Sequence, residues 1–157
     1  MGAMRTVDQT HIHASPASVF TVASAVERWP ALLPHYRWVR FLERRGDGGV
    51  VEMAARRPFG PVAYPAWWVS EMAVDRARGE IRYRHVRGIT TGMDVVWRLV
   101  SDPDGGGVDV TIVHEWSGPG WPLIGRLAAD LVIGPVFVHG IASRTLAGLK
   151  RALETQQ

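Results

Sequence analysis

Between residues 38 and 117 the sequence falls into six strand-like runs at about 38–45, 49–57, 63–75, 80–88, 92–101 and 107–117. Along 80–88, 92–101 and 107–117 apolar and polar residues largely alternate with a period of two, which marks half-buried strands, one face to the core and one to solvent. The links between runs are short and rich in turn residues: Gly46-Asp47-Gly48-Gly49, Arg76-Ala77-Arg78-Gly79 and Asp102-Pro103-Asp104-Gly105-Gly106-Gly107. A parallel crossover needs a dozen or more residues, so these links predict hairpins and an antiparallel meander.

The flanks supply the second layer. Residues 6–14 read as a further strand. Ser15 then caps a helix that Pro16 can begin, because no amide hydrogen is needed in the first turn. Val19, Phe20, Ala23 and Val26 give this helix its buried stripe. Pro30 is expected to push Trp29 out of helical geometry, ending the helix near Arg28. A second short turn over 31–33 is expected to stop at Pro34. Near the other end, Trp121-Pro122 opens a helical region that Gly134-Pro135 interrupts. Val138, Ala142, Leu146, Leu149 and Leu153 then recur at helical spacing. A helix over 135–154 would run ~30 Å, enough to cross a sheet. The expected class is α+β, a curved antiparallel sheet wrapped around a long C-terminal helix.

Alternation also assigns faces. Trp68, Ser70 and Met72 share one side of their strand, as do Tyr83 and His85, Met93 and Trp97, and His114 and Trp116. With Trp29, Met53 and Phe137 they form an inner face that is large, aromatic and dotted with polar groups. That is the usual lining of a ligand pocket, although a packed core with locally satisfied polar groups has the same residue pattern. Arg144 lies on the stripe of Phe137, Gly140, Ile141 and Gly148. From there it either points into the pocket or pairs with Glu115 or Asp130.

Ser15-Pro16 before Val19-Phe20, the stretch "VERWPALLPHY", the strand "WWVSEM" and the tail "IASRTLAGLKRALE" together resemble the polyketide cyclase/dehydrase branch of the START-like superfamily, also called SRPBCC. The resemblance spans nearly the whole chain. It implies a helix-grip fold: seven strands wrapped around the C-terminal helix, two short helices after the first strand, and a deep cavity between sheet and helix. It also implies that Trp29 and Tyr36 line the cavity mouth. In aromatase relatives the strand matching "WWVSEM" carries an inward arginine two residues after the serine; Met72 stands there in this chain. His85 falls where such relatives can carry another cavity arginine.

The expected function is binding of a hydrophobic, polycyclic or polyketide-like molecule, with aldol cyclisation or dehydration of it as the chemistry. Aldol closure needs a proton acceptor and a stabilised enolate oxygen. His85 is the candidate base, with Tyr36 and Ser70 as hydrogen-bond donors. Trp29, Met53, Trp68, Met72, Tyr83, Met93, Trp97, His114, Trp116, Phe137, Ile141 and Arg144 are the candidate ligand-binding residues. The alternatives are a non-catalytic carrier of a lipid or quinone, and an interaction module docking an acidic protein or RNA.

No cofactor and no metal are expected. His11 and His13 share a strand face, but no third ligand has metal-site spacing. "GPGWPLIG" lacks the lysine and hydroxyl of a phosphate loop. Seventeen of the eighteen basic residues are arginine, and the formal net charge is +3. They are scattered along strands and turns rather than clustered, which argues against nucleic acid and reads first as a solvated basic face, the alternative being a docking surface for an acidic acyl carrier protein. There is no cysteine. No apolar run approaches the ~18 residues of a membrane span, so a cytoplasmic location is expected. Residues 1–3 are expected to be a foreign remnant before a natural start at Met4, and 4–157 one domain.

Overall fold

The computed structural model describes residues 4–59, 62–88, 90–117 and 135–155. Seven strands form one antiparallel sheet: β1 (Met4–Ile12), β2 (Tyr36–Arg45), β3 (Gly48–Phe59), β4 (Val62–Asp75), β5 (Glu80–Gly88), β6 (Asp94–Ser101) and β7 (Val108–Trp116). Their order across the sheet is β1-β7-β6-β5-β4-β3-β2. The five hairpins from β2 to β7 are the meander that the turn residues predict. β1 returns to the far edge, where it pairs with β7 from Met4↔Trp116 to Ile12↔Val108.

Among the described residues three helices accompany the sheet: α1 (Pro16–Ser24), α2 (Trp29–Leu32) and α3 (Pro135–Glu154). Ser15 is the N-cap of α1; its Oγ accepts from the Ser18 amide at 3.2 Å, and Pro16 sits in the first turn. Val138, Ala142, Leu146, Leu149 and Leu153 of α3 are all buried, as their spacing requires. This is the helix-grip arrangement. The reading of 121–122 and 134 lies outside the described residues.

One local expectation is corrected. Trp29 is helical, at φ −58° and ψ −38°, and it begins α2 with Pro30 in the first turn. The break falls earlier, at Ala25, whose φ of −84° and ψ of 62° separate α1 from a 3₁₀ turn over Val26–Arg28. The residue before a proline ordinarily avoids the α region. Here tertiary contacts override that preference, because Trp29 is buried and its Nε1 donates to the Val22 carbonyl at 3.2 Å.

Bulges bend the sheet around α3. One between Tyr36 and Trp38 turns Tyr36 and Val39 inward while Arg37 and Trp38 face solvent. Another separates Phe41 from Glu43, opposite Val51 and Val50 and next to the Arg44↔Gly49 pair. Gly49 has φ +137°, and a β-carbon there would lie 2.1 Å from the Glu43 carbonyl oxygen. Gly49→Ala is therefore expected to lower stability by about 1–3 kcal/mol, read as a lower denaturant midpoint at unchanged slope. An unchanged midpoint would mean that the hairpin does not need this approach.

Candidate functional site

Two concavities stand out. The larger, about 900 Å³, is an open depression on the outer face of the sheet, walled by charged residues such as Arg45, Glu71, Arg82, Arg84, Asp94 and Arg98. Its charges are largely paired, within the depression as in Arg84–Asp94 at 3.0 Å or with residues beside it as in Arg82–Glu80 at 2.8 Å. Apolar side chains such as Val74, Val96 and Val113 lie between these charges, but the depression is open and mostly polar, unlike an enclosed hydrophobic pocket. The smaller cavity, about 80 Å³, lies between the inner face and α3. Its size is well below the several hundred Å³ of pockets that enclose a drug-sized ligand. The aromatic side chains account for this. Trp29 packs edge-on against Tyr36 at 5.2 Å and tilted against Trp97 at 5.5 Å, so the wall partly fills its own cavity.

The structure brings Trp29, Tyr36, Met53, Trp68, Tyr83, His85, Met93, Trp97, His114 and Ile141 to this cavity. Ser70, Met72 and Trp116 are buried but do not border it. Trp116 is held away by a 3.1 Å hydrogen bond from its Nε1 to the Thr91 carbonyl. Arg144 is exposed, which corrects the reading that it points inward. The side chain of Phe137 lies outside the described residues.

His85 is the most constrained polar group. Inward-facing on β5, it stacks on Trp68 with centroids 5.6 Å apart and planes 3° from parallel. Its Nδ1 lies 2.6 Å from Thr90 Oγ1. If Nδ1–H donates there, Nε2 keeps its lone pair. Burial, and then His114, lower its pKa to about 3. His114 is lowered to about 4 by burial alone. By area His114 is only half-buried, but it borders the cavity and its Nδ1 is inaccessible and without a hydrogen-bond partner.

A second polar group gathers at Thr145, which the sequence reading missed. Its hydroxyl donates to the Ile141 carbonyl at 2.8 Å and lies 3.0 Å from His35 Nε2 and 3.4 Å from Tyr36 Oη. Burial raises the Tyr36 pKa to about 12. His35 is lowered to about 4, by burial first and then by Arg144. Thr145 was visible in principle, three residues from Ala142 on the buried stripe. Thr90 was not, since it sits in a turn and no periodicity applies.

Both His11 ring nitrogens face acceptors, Nδ1 the Asp109 Oδ1 at 2.7 Å and Nε2 the Gly106 carbonyl at 2.9 Å, so a protonated nitrogen donates at either position. Among the described residues no group of three metal-ligating side chains is assembled. No described helix is long and apolar enough to cross a membrane.

Comparison with known proteins extends this picture. The sequence model of a family described as "Polyketide cyclase / dehydrase and lipid transport" matches residues 4–154. No curated protein sequence matches the chain. Among solved structures, TTHA0849 from Thermus thermophilus superposes with a TM-score of 0.79 at 18% identity, over 98% of this chain and 99% of that one. A START superfamily protein from Mycobacterium smegmatis gives 0.74 at 12% identity, over 99% and 100%. The Zhui aromatase/cyclase from a Streptomyces species gives 0.76 at 17% identity, over 98% and 94%. At these identities the likeness establishes the fold.

Proposed function

The chain belongs to the polyketide cyclase / dehydrase and lipid transport family, and from that premise we propose that it holds a hydrophobic, polyketide-like molecule between sheet and α3 and promotes aldol closure or dehydration on it. One observation carries the reading: an aromatic-walled internal cavity bordered by Tyr83 and His114, whose Oη and Nδ1 are buried without a protein partner. A ligand of more than one ring requires Trp29, Tyr36 or Trp68 to swing aside, since about 80 Å³ admits little more than a few waters.

In this reading His85 Nε2 removes the proton beside a ketone, its ring oriented by Thr90 and by the Trp68 face. The enolate oxygen accepts from Tyr36, whose hydroxyl is held only loosely, 3.4 Å from Thr145 Oγ1. Ser70, opposite His85 in the β4–β5 register, is a buried donor beside the same strand position. His85→Gln keeps size and polarity but removes the proton acceptor. Turnover of a supplied polyketone is expected to fall by at least ~10²-fold while affinity changes little. Retained turnover per folded molecule would sink the assignment to His85.

A second reading, a non-catalytic carrier of a quinone or lipid, is favoured by the His85 pKa of about 3. A general base works best with a pKa near the operating pH, and this one lies far below it. The same experiment separates the two, because a carrier shows no turnover in the wild type. An acidic carrier protein delivering the ligand would have to compete with carboxylates that the surface arginines already contact, including Arg40–Glu52, Arg44–Glu27 and Arg45–Glu43.

A further inference from the structure

Tyr83, Val95 and His114 form one rung across β5, β6 and β7, and all three border the cavity. Tyr83 Oη and His114 Nδ1 are inaccessible and make no hydrogen bond. Ser70 Oγ, opposite His85 in the neighbouring pair, is in the same condition. A buried polar group left unpaired costs about 1–3 kcal/mol, and native interiors contain few of them. On the inner face Tyr83 Oη, His114 Nδ1 and Thr6 Oγ1, which faces His114 from β1, are unpaired on one rung, with Ser70 Oγ and Asp8 Oδ2 on others; the two that border the cavity, Tyr83 and His114, mark a place where a ligand supplies the missing partners.

Resting on the ligand-binding reading, we propose that this rung selects an uncharged oxygen function, a phenol, enol or ketone carried on a hydrophobic ring, and rejects a carboxylate of the same shape. The Tyr83 hydroxyl donates to the ligand oxygen. His114 Nδ1 then either accepts the proton of a ligand hydroxyl or, in the other tautomer, donates to a carbonyl. A carboxylate could accept from Tyr83 as well, but it would carry its charge into a wall that, among the described residues, contains no lysine or arginine. An unpaired buried charge is far more costly than an unpaired dipole. Neither histidine can offset it at neutral pH, because burial holds both in the neutral form. Arg144, the guanidinium that the sequence reading offered as an anchor, is exposed.

The test is calorimetric titration at pH 7 with three probes of one shape, 2-naphthol, naphthalene and 2-naphthoate, repeated with phenol, benzene and benzoate for the smaller cavity. The expected order is the hydroxyl compound tightest, the hydrocarbon weaker, and the carboxylate at least tenfold weaker than the hydroxyl compound. Tyr83→Phe should bring 2-naphthol down to the affinity of naphthalene. It should also leave the melting temperature unchanged or higher, because it deletes an unsatisfied hydroxyl and retains the ring. A structural role for that hydroxyl predicts a lower melting temperature and unchanged selectivity, and that result overturns the proposal. Carboxylate binding as tight as naphthol overturns it too, while leaving hydrophobic ligand binding intact. Failure of every probe overturns both.

Discussion

Acidification from pH 7 to about 4 is expected to unfold the protein, with most of the loss occurring below pH 6.5. His85 and His114 are buried and neutral, and their folded pKa values are about 3 and about 4. In the unfolded chain each titrates near 6.5. Between those values the unfolded state binds more protons than the folded state, so stability falls as pH falls, and it is fully present only above about 6.5. Each histidine contributes about 1.4 kcal/mol per pH unit across the window. Two of them over roughly two units give on the order of 5 kcal/mol, comparable to the whole stability of many domains. His35, lowered to about 4 by burial and then by Arg144, acts in the same direction over the same window, and Glu52 does so at lower pH. The Glu52 pKa is lowered because hydrogen bonds from Arg40, Trp67 and Trp38 outweigh its desolvation. His11 opposes, its pKa raised by Asp109, but it is solvated and its effect is small.

Denaturant midpoints at pH 7, 6, 5 and 4.5 would measure the effect, with His85→Phe and His114→Leu combined expected to flatten the profile. A wild-type midpoint that stays level from pH 7 to 5 would show that both imidazoles take up protons in the folded state. The cavity would then be wet, and the argument for a dry, uncharged site would fail.

How far the sequence announces this site depends on what each feature answers to. The strand faces are local: Tyr83, His85 and Trp97 point inward because alternation places them there. The buried stripe of α3 is legible for the same reason. Trp29 is different, because its geometry is decided by burial and by the Val22 carbonyl, which outweigh the dipeptide preference set by Pro30. Arg144 was ambiguous because it shares its stripe with Gly140 and Gly148, which are buried, and only the packed structure shows that its own side chain is exposed. Cavity size was not legible at all. The same tryptophans read equally well as walls or as filling, and their mutual packing at 5.2–5.5 Å decides for partial filling. The resemblance to the polyketide cyclase/dehydrase family carried the fold and the ligand class, while the unpaired atoms of Tyr83 and His114 emerge only when every neighbour is in place.

Trp29→Ala is expected to be the most damaging single substitution near the cavity, and it also tells wall from filling. The indole is 2% exposed, touches Tyr36 and Trp97, and pins α2 to α1 through the Val22 carbonyl. Truncating a buried tryptophan costs about 3–5 kcal/mol, transfer and cavity terms together. For a chain of this size that is a fall in melting temperature of roughly 6–20 °C. A loss under about 1 kcal/mol would mean that α2 can collapse into the space and that Trp29 is not a keystone of the inner face. The same variant enlarges the cavity between sheet and α3. Free indole at millimolar concentration should re-enter that space and recover part of the melting temperature, by mass action on the folded state alone. Indole should have little effect on the wild type, where the side chain already occupies the position. If 2-naphthol binds the variant more tightly than the wild type, Trp29 is filling that a ligand must displace. If it binds more weakly, Trp29 is the wall against which the ring stacks, and opening of the site falls to Tyr36 and Trp68.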